Sequence, residues 1–341
     1  MSLASVPPPA AATAPGGDAD EGDQISLAPR KPRKRRRRPV TPRELPPPPP
    51  PIGVARQVAG TTVIILAVCL IGFGSWLAFF SKLHYDRAQH IAYADFRSEL
   101  ANATAPTGPT DPNATPAANQ PPVLLASGSA VAVLSIPAIG LNAVVFQGTS
   151  PQVTENGPGH LRDTPMPGQA GISVIMGRST AFGGPFSKLT TLAPGDAVTT
   201  TTGQGVATYT ILDLRRAGDP APPPPDAGAG RLILATADGP PFAPTGVLWV
   251  DAQLTSKPFD EPAMILSQAN LSPGENILGT DSIAWVPIVL WGQALLGAAS
   301  AAGWLWRRWG AWQTWIVALP VLGYLGINVA NEVTRLLPNL M

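Results

Sequence analysis

At 341 residues the chain is long enough for two domains, but 41 prolines and 34 glycines leave only part of it able to form a compact core. The formal net charge of +1 hides a segregation: residues 1–56 carry ten Lys/Arg against five Asp/Glu, and the remainder thirteen against seventeen. One cysteine, Cys69, excludes an intrachain disulfide framework or a cysteine zinc site, and the scattered His84, His90 and His160 give no metal centre, so no metal or cofactor is expected.

Residues 1–56 are Ala/Pro/Gly-rich and poor in large apolar side chains, which predicts a disordered tail. Within it lie the basic run RKPRKRRRR (30–38) and a proline run at 46–51 that favours extended polyproline geometry. The basic run alone fits nucleic acid, but its neighbour argues for a membrane role. Residues 58–80, VAGTTVIILAVCLIGFGSWLAFF, carry no charge over a length that exceeds the roughly 20 residues a bilayer core needs. A transmembrane helix is therefore predicted over 57–80. Lys/Arg enrichment on the near flank places the tail in the cytoplasm, where the basic run contacts anionic lipid, and the residues beyond the helix outside.

Residues 81–126 read as a stalk helix followed by a Pro/Ala/Asn/Thr linker, with Leu83, Ile91, Phe96 and Leu100 as an intermittent apolar stripe. His84 and His90, six residues apart, fall on different helix faces. From 127 to 256 the pattern changes to short β-type runs between turn residues, which predicts an all-β barrel or sandwich. DAVTTTT-GQG-VATYTILDL is its clearest hairpin. A second linker, 257–282, leads to two further apolar spans, 283–306 and 309–331. Arg307 and Arg308 lie between them, so this short connection belongs on the cytoplasmic side. Trp304, Trp306, Trp309 and Trp312 bracket the arginines as an interfacial belt, and GAASAAG (297–303) permits close helix packing, between the two spans or with a partner's helix.

The segments IPAIGLNAVVFQGTS, GPGHLRDTPMPGQAG, GGPFSKL and LTTLAPGDAV occur in the order seen in sortases. The chain thus resembles the sortase family over about 125 residues, and most nearly the housekeeping-like, class E sortases of high-GC Gram-positive bacteria. That resemblance implies a closed β-barrel and a transpeptidation in which a cysteine thiolate attacks a sorting-signal peptide bond, a histidine handles protons and an arginine steadies the oxyanion. The matching positions do not supply these groups. In SVIMGRSTAFGGPF the histidine position holds Arg178, in LILATADGP the cysteine position holds Ala237, and in PFAPTGVLWV the arginine position falls on Thr245 or Gly246. An arginine cannot serve as a base and a methyl group cannot attack a carbonyl.

Ser179 and Thr236 are candidate substitutes, and Arg178 and Asp238 are expected to form an ion pair across the groove or to stand as two solvated charges. The loop RRAGDPAPPPPDAGAG (215–230), with four successive prolines, is expected to stiffen one flank of that groove. Three functional readings are compatible with these residues: a non-catalytic module that binds a sorting-signal-like peptide or an envelope protein; a transpeptidase or hydrolase with rearranged chemistry; and a structural membrane subunit.

Overall fold

The computed structural model describes residues 53–76, 80–112, 123–262 and 266–341. The basic run at 30–38 and the proline run at 46–51 lie outside them.

The β-rich region forms eight strands: β1 Ala130–Ile136, β2 Leu141–Gln147, β3 Gly159–His160, β4 Gly171–Met176, β5 Ala197–Thr202, β6 Gly205–Arg215, β7 Gly230–Asp238 and β8 Gly246–Leu254. They close into a barrel in the order β1-β2-β3-β4-β7-β8-β6-β5, one of the two architectures the strand pattern allows and the one the resemblance implies. Two neighbouring pairs run parallel, β2 with β3 and β4 with β7; the rest are antiparallel. Closure removes the exposed edges that a sheet of β-branched strands would otherwise present.

Alternation along the strands sends one face inward. Leu134, Ile136, Ile175, Leu232, Leu234, Leu248 and Val250 are fully buried in one cluster. Each such side chain stabilises the fold by about 1.5–3 kcal/mol relative to exposure. Between β1 and β2 a 3-10 turn, Pro137–Ile139, ends on Gly140 at φ +67°, a left-handed conformation that glycine adopts without strain. The β5–β6 hairpin is one residue tighter than the sequence suggests: Gly205 pairs with Thr202, leaving Gly203 and Gln204 as the loop.

Helix α1, Val54–Ser75, precedes α2, Ser81–Ala101. Helix α2 lies against β1 and β2. Its fixings differ from the expected stripe: Phe96 is buried while Leu83 and Ile91 are exposed. The Gln89 amide accepts from Val144 N (2.7 Å) and donates to Val144 O (3.1 Å), supplying β2 with the pairing that β3 is too short to give. A one-turn helix, α3 (Pro151–Thr154), comes after β2.

The chain closes with α4, Trp285–Trp309, and α5, Ala311–Thr334. Helices spanning Ala55–Ser75, Ser282–Trp309 and Ala311–Thr334 are long and apolar enough to cross a membrane. The connection expected at Arg307 and Arg308 is shifted: both arginines belong to the last turn of α4, and the reversal is made at Gly310, at φ +95° and ψ 166°. Glycine is required there because a Cβ resists that backbone conformation. The small residues of α4 face α1 as well as α5. Ala299 and Ala302 are buried, and a Cβ on Gly303 would sit 2.6 Å from Thr61 Oγ1. At the other end the start of α4 and the end of α5 are tied, because Arg335 Nη2 donates to Asp281 Oδ2 (2.5 Å) and Asp281 N donates to Arg335 O (3.1 Å).

Candidate functional site

Strands β4 and β7 run parallel with Met176 opposite Ala235, and Gly177 N donates to Ala235 O (3.0 Å), so Arg178 and Ala237, each two residues beyond that pair, come to the same end of the barrel. Strand β8 pairs antiparallel to β7 with Ala237 opposite Val247 and Asp238 opposite Gly246, which brings Thr245 and Gly246 to the same end of the barrel. The positions singled out from separate stretches of sequence thus gather at the ends of three adjacent strands. No one stretch of sequence could assemble them; the parallel β4–β7 pairing does.

Arg178 is fully buried. Its Nη2 donates to the carbonyl of Pro151 in α3 (3.0 Å), and its Nη1 donates to the carbonyl of Met341 (3.0 Å). Its guanidinium carbon stands 4.9 Å from the centre of the Phe182 ring, and Glu155 Oε1 is 3.9 Å from Nη2. Burial pulls the guanidinium down to about 10, against the opposing pull of Glu155. It remains a cation at neutral pH and has no proton-accepting form there. Burial also pushes Glu155 up, opposed by the nearby charge of Arg178.

The expected Arg178–Asp238 ion pair does not form. Asp238 pairs instead with Arg216 (2.9 Å), at a site where Arg216 is largely exposed and the pair contributes little. Arg178 turns to Glu155, which the sequence motifs had not singled out. The short α3 helix after β2 brings Glu155 in; a motif-by-motif reading carries no signal for it.

Neither hydroxyl candidate is set up as a nucleophile. Thr236 is 2% exposed and donates to the carbonyl of Gly177 (2.8 Å). The Ser179 hydroxyl pairs with that of Thr180 (3.3 Å). His160 is equally committed: its Nε2 lies 2.9 Å from the carbonyl of Pro165 and its Nδ1 3.0 Å from the Gln147 side chain. Burial lowers its imidazole to about 4, so it is a neutral core residue. Among the described residues no group of three His, Cys, Asp or Glu side chains comes together to hold a metal.

The 215–230 loop leaves this end of the barrel at Arg215 and runs to the opposite end of β7, so its proline run does not stiffen a flank of the groove positions as expected. Arg231 Nη1 donates to the carbonyl of Pro223 (2.7 Å), and Arg215 pairs with the buried Asp251 (2.6 Å) while stacking 5.0 Å from the Trp249 ring. The proline run is thereby held against the start of β7.

The sequence reading missed what fills the space beside Ala237. The segment after α5 folds back here: Leu340 is fully buried in a cluster with Met176, Ala235, Ala237 and Val247, and its carbonyl accepts from Ser179 N (2.9 Å).

An eight-stranded barrel of mixed pairing, with the matched positions gathered at the ends of β4, β7 and β8, defines the class of protein, and comparison with known proteins agrees. Residues 134–222 match the family model of the sortase domain, a stretch that includes Arg178 and stops before β7. Sortase E from Streptomyces avermitilis is 30% identical over 39% of this chain and 91% of its own, with a TM-score of 0.33. Sortase E1 from Streptomyces coelicolor, solved with a tripeptide in its active site, is 18% identical over 42% of this chain and 96% of its own, with a TM-score of 0.34. The Clostridium perfringens sortase D5 transpeptidase is 19% identical over 50% of this chain and 98% of its own, with a TM-score of 0.37. No curated protein matches the chain. Through its barrel, the chain belongs to the sortase family.

Proposed function

We propose that this is a membrane-held sortase-family protein whose cleft binds peptide without cleaving it. The observation that carries the reading is the buried Arg178 at the position where the resemblance puts the proton-handling histidine, its charge spent on two main-chain carbonyls and Glu155. Ala237 stands at the nucleophile position, and Thr245 with Gly246 at that of the oxyanion-stabilising arginine. Acyl transfer needs an activated nucleophile, a titrating base and positive charge where the oxyanion forms. The cleft offers an apolar wall and main-chain hydrogen-bonding groups, the equipment of a peptide-binding groove.

The same reading gives a multi-pass protein with a cytoplasmic N-terminal tail, the barrel outside, and Arg307 and Arg308 at the cytoplasmic end of the α4–α5 pair. Two features support it: the arginines lie at the opposite end of that pair from Asp281 and Arg335, and the segment after α5 reaches the barrel. Its partners are then membrane lipid, a cell-envelope protein and a sorting-signal-like peptide. The test is incubation of the intact, detergent-solubilised protein with sorting-signal peptides, followed by mass spectrometry and by a binding assay. The expected result is binding with no cleaved or transferred product. Turnover that disappears in Ser179→Ala or Thr236→Val would establish the rearranged enzyme instead.

A further inference from the structure

The segment beyond α5 is too well held to be a trailing end. Asn339 is fully buried and its amide nitrogen approaches three carbonyls: Thr149 (2.6 Å), Asn276 (2.9 Å) and Gly274 (3.3 Å). Its main-chain N–H donates to Gly279 O (3.0 Å). Leu340 fills the apolar pocket against Ala237, and Met341, 6% exposed, gives its carbonyl to Arg178. The carbonyls around Asn339 come from two places, the β2–α3 corner and the strap 272–281. That strap is itself anchored: Glu275, 2% exposed, receives Arg162 through Nε (2.6 Å) and Nη2 (2.5 Å), and its main-chain carbonyl accepts from Thr149 Oγ1 (2.6 Å).

We propose that the cleft beside Ala237 is a binding site for an asparagine-leucine peptide and that its resident ligand is residues 337–341 of this same chain. The proposal rests on the reading of the cleft as a peptide groove and adds who sits in it. Three features recognise such a ligand. A ring of carbonyls selects a side-chain amide, because a carboxylate there would face acceptors only. A pocket walled by Met176, Ala235, Ala237 and Val247 takes a leucine, and it is open to one because position 237 carries only a methyl group. Arg178 and Ser179 N then hold the main chain by its carbonyls. Because the segment is tethered directly to α5, it acts at an effective concentration of about millimolar, so a ligand in trans has to outcompete it. Occupancy of the cleft is thereby coupled to the position of the last membrane helix.

The experiment uses the full chain in detergent, with residues 337–341 present or deleted, and a fluorescently labelled peptide of the sequence RLLPNLM as probe, read by anisotropy. The deleted protein is expected to bind the probe saturably, the intact chain at least about tenfold more weakly. A probe carrying Asn339→Asp is expected to lose about tenfold or more in affinity for the deleted protein. Equal binding of the probe by both proteins would overturn the resident ligand and leave the peptide groove standing. Binding of a sorting-signal peptide but not of the probe by a folded deletion protein would do the same, and binding of neither would remove both. Where the deletion prevents folding, hydrogen exchange in the intact chain decides: the Ser179 and Asn339 amides are expected to be protected about 100-fold or more and to lose this in Asn339→Asp, whereas exchange at unstructured rates in the intact chain would overturn the proposal.

Discussion

Burying a guanidinium costs several kcal/mol unless its charge and N–H donors find partners. Arg178 meets most of that demand through two carbonyls, an aromatic face and Glu155, and its Nε alone has no hydrogen-bond partner among the described residues. A side chain so engaged is a structural tie. His160 makes a parallel case that pH can read. Its folded value, about 4, lies below the ordinary 6.5, so stability is present in full above 6.5 and is lost as pH falls from 6.5 toward 4. At 1.36 kcal/mol per unit the loss reaches about 3 kcal/mol. Thermal unfolding of the intact protein at pH 7 and pH 4.5 should show this fall, and His160→Gln should flatten it; an unchanged slope in that variant would assign the acid sensitivity elsewhere. The positions of Arg178 and Ala237 were legible in the sequence through the resemblance of SVIMGRSTAFGGPF and LILATADGP to the sortase motifs. Their partners were not, since Glu155 and Met341 come from elements that carry no motif.

At the scale of elements, the apolar runs and the β-type runs each announced themselves by periodicity and length, and both kinds formed. What the pattern could not convey was which face of α4 meets which neighbour. GAASAAG allows close approach by any helix, and only the three-dimensional arrangement turns Gly303 onto Thr61 of α1. A leucine there must displace Thr61 or push the helices apart, and overpacking of this kind costs about 1–3 kcal/mol. Gly303→Leu should therefore lower the unfolding midpoint of the detergent-solubilised protein, whereas Gly297→Leu, where a Cβ meets nothing within 4 Å, should leave it unchanged. Equal effects at the two sites would mean that the α1–α4 contact does not hold the bundle together. The stalk reading of α2 shows the same limit: Gln89 looks like any solvated helix residue until β2 leaves Val144 without a partner strand.

The whole molecule adds a constraint that neither residues nor elements contain. The barrel, the strap 272–281 and the segment after α5 meet around Asn339 through hydrogen bonds that span 63 to 190 residues of chain, so a membrane crossed by α4 and α5 would leave all three on one side. Helices α4 and α5 form a hairpin whose open end, Asp281 with Arg335, faces the barrel, and whose closed end carries Arg307, Arg308 and the T-shaped Trp306–Trp315 pair at 5.3 Å. Paired basic residues at a membrane boundary are retained on the cytoplasmic side, and interfacial tryptophans fix the depth of that end. The barrel is therefore expected outside. In a Cys69→Ser background, Thr245→Cys, exposed on the barrel, should react with a membrane-impermeant maleimide on intact cells. Gln313→Cys, exposed just beyond the Gly310 reversal, should react only after the membrane is opened. The opposite pattern would invert the orientation. Labelling of both sites on intact cells would mean that α4 and α5 do not cross, and the tether that puts residues 337–341 beside the cleft would then have to run along the membrane surface.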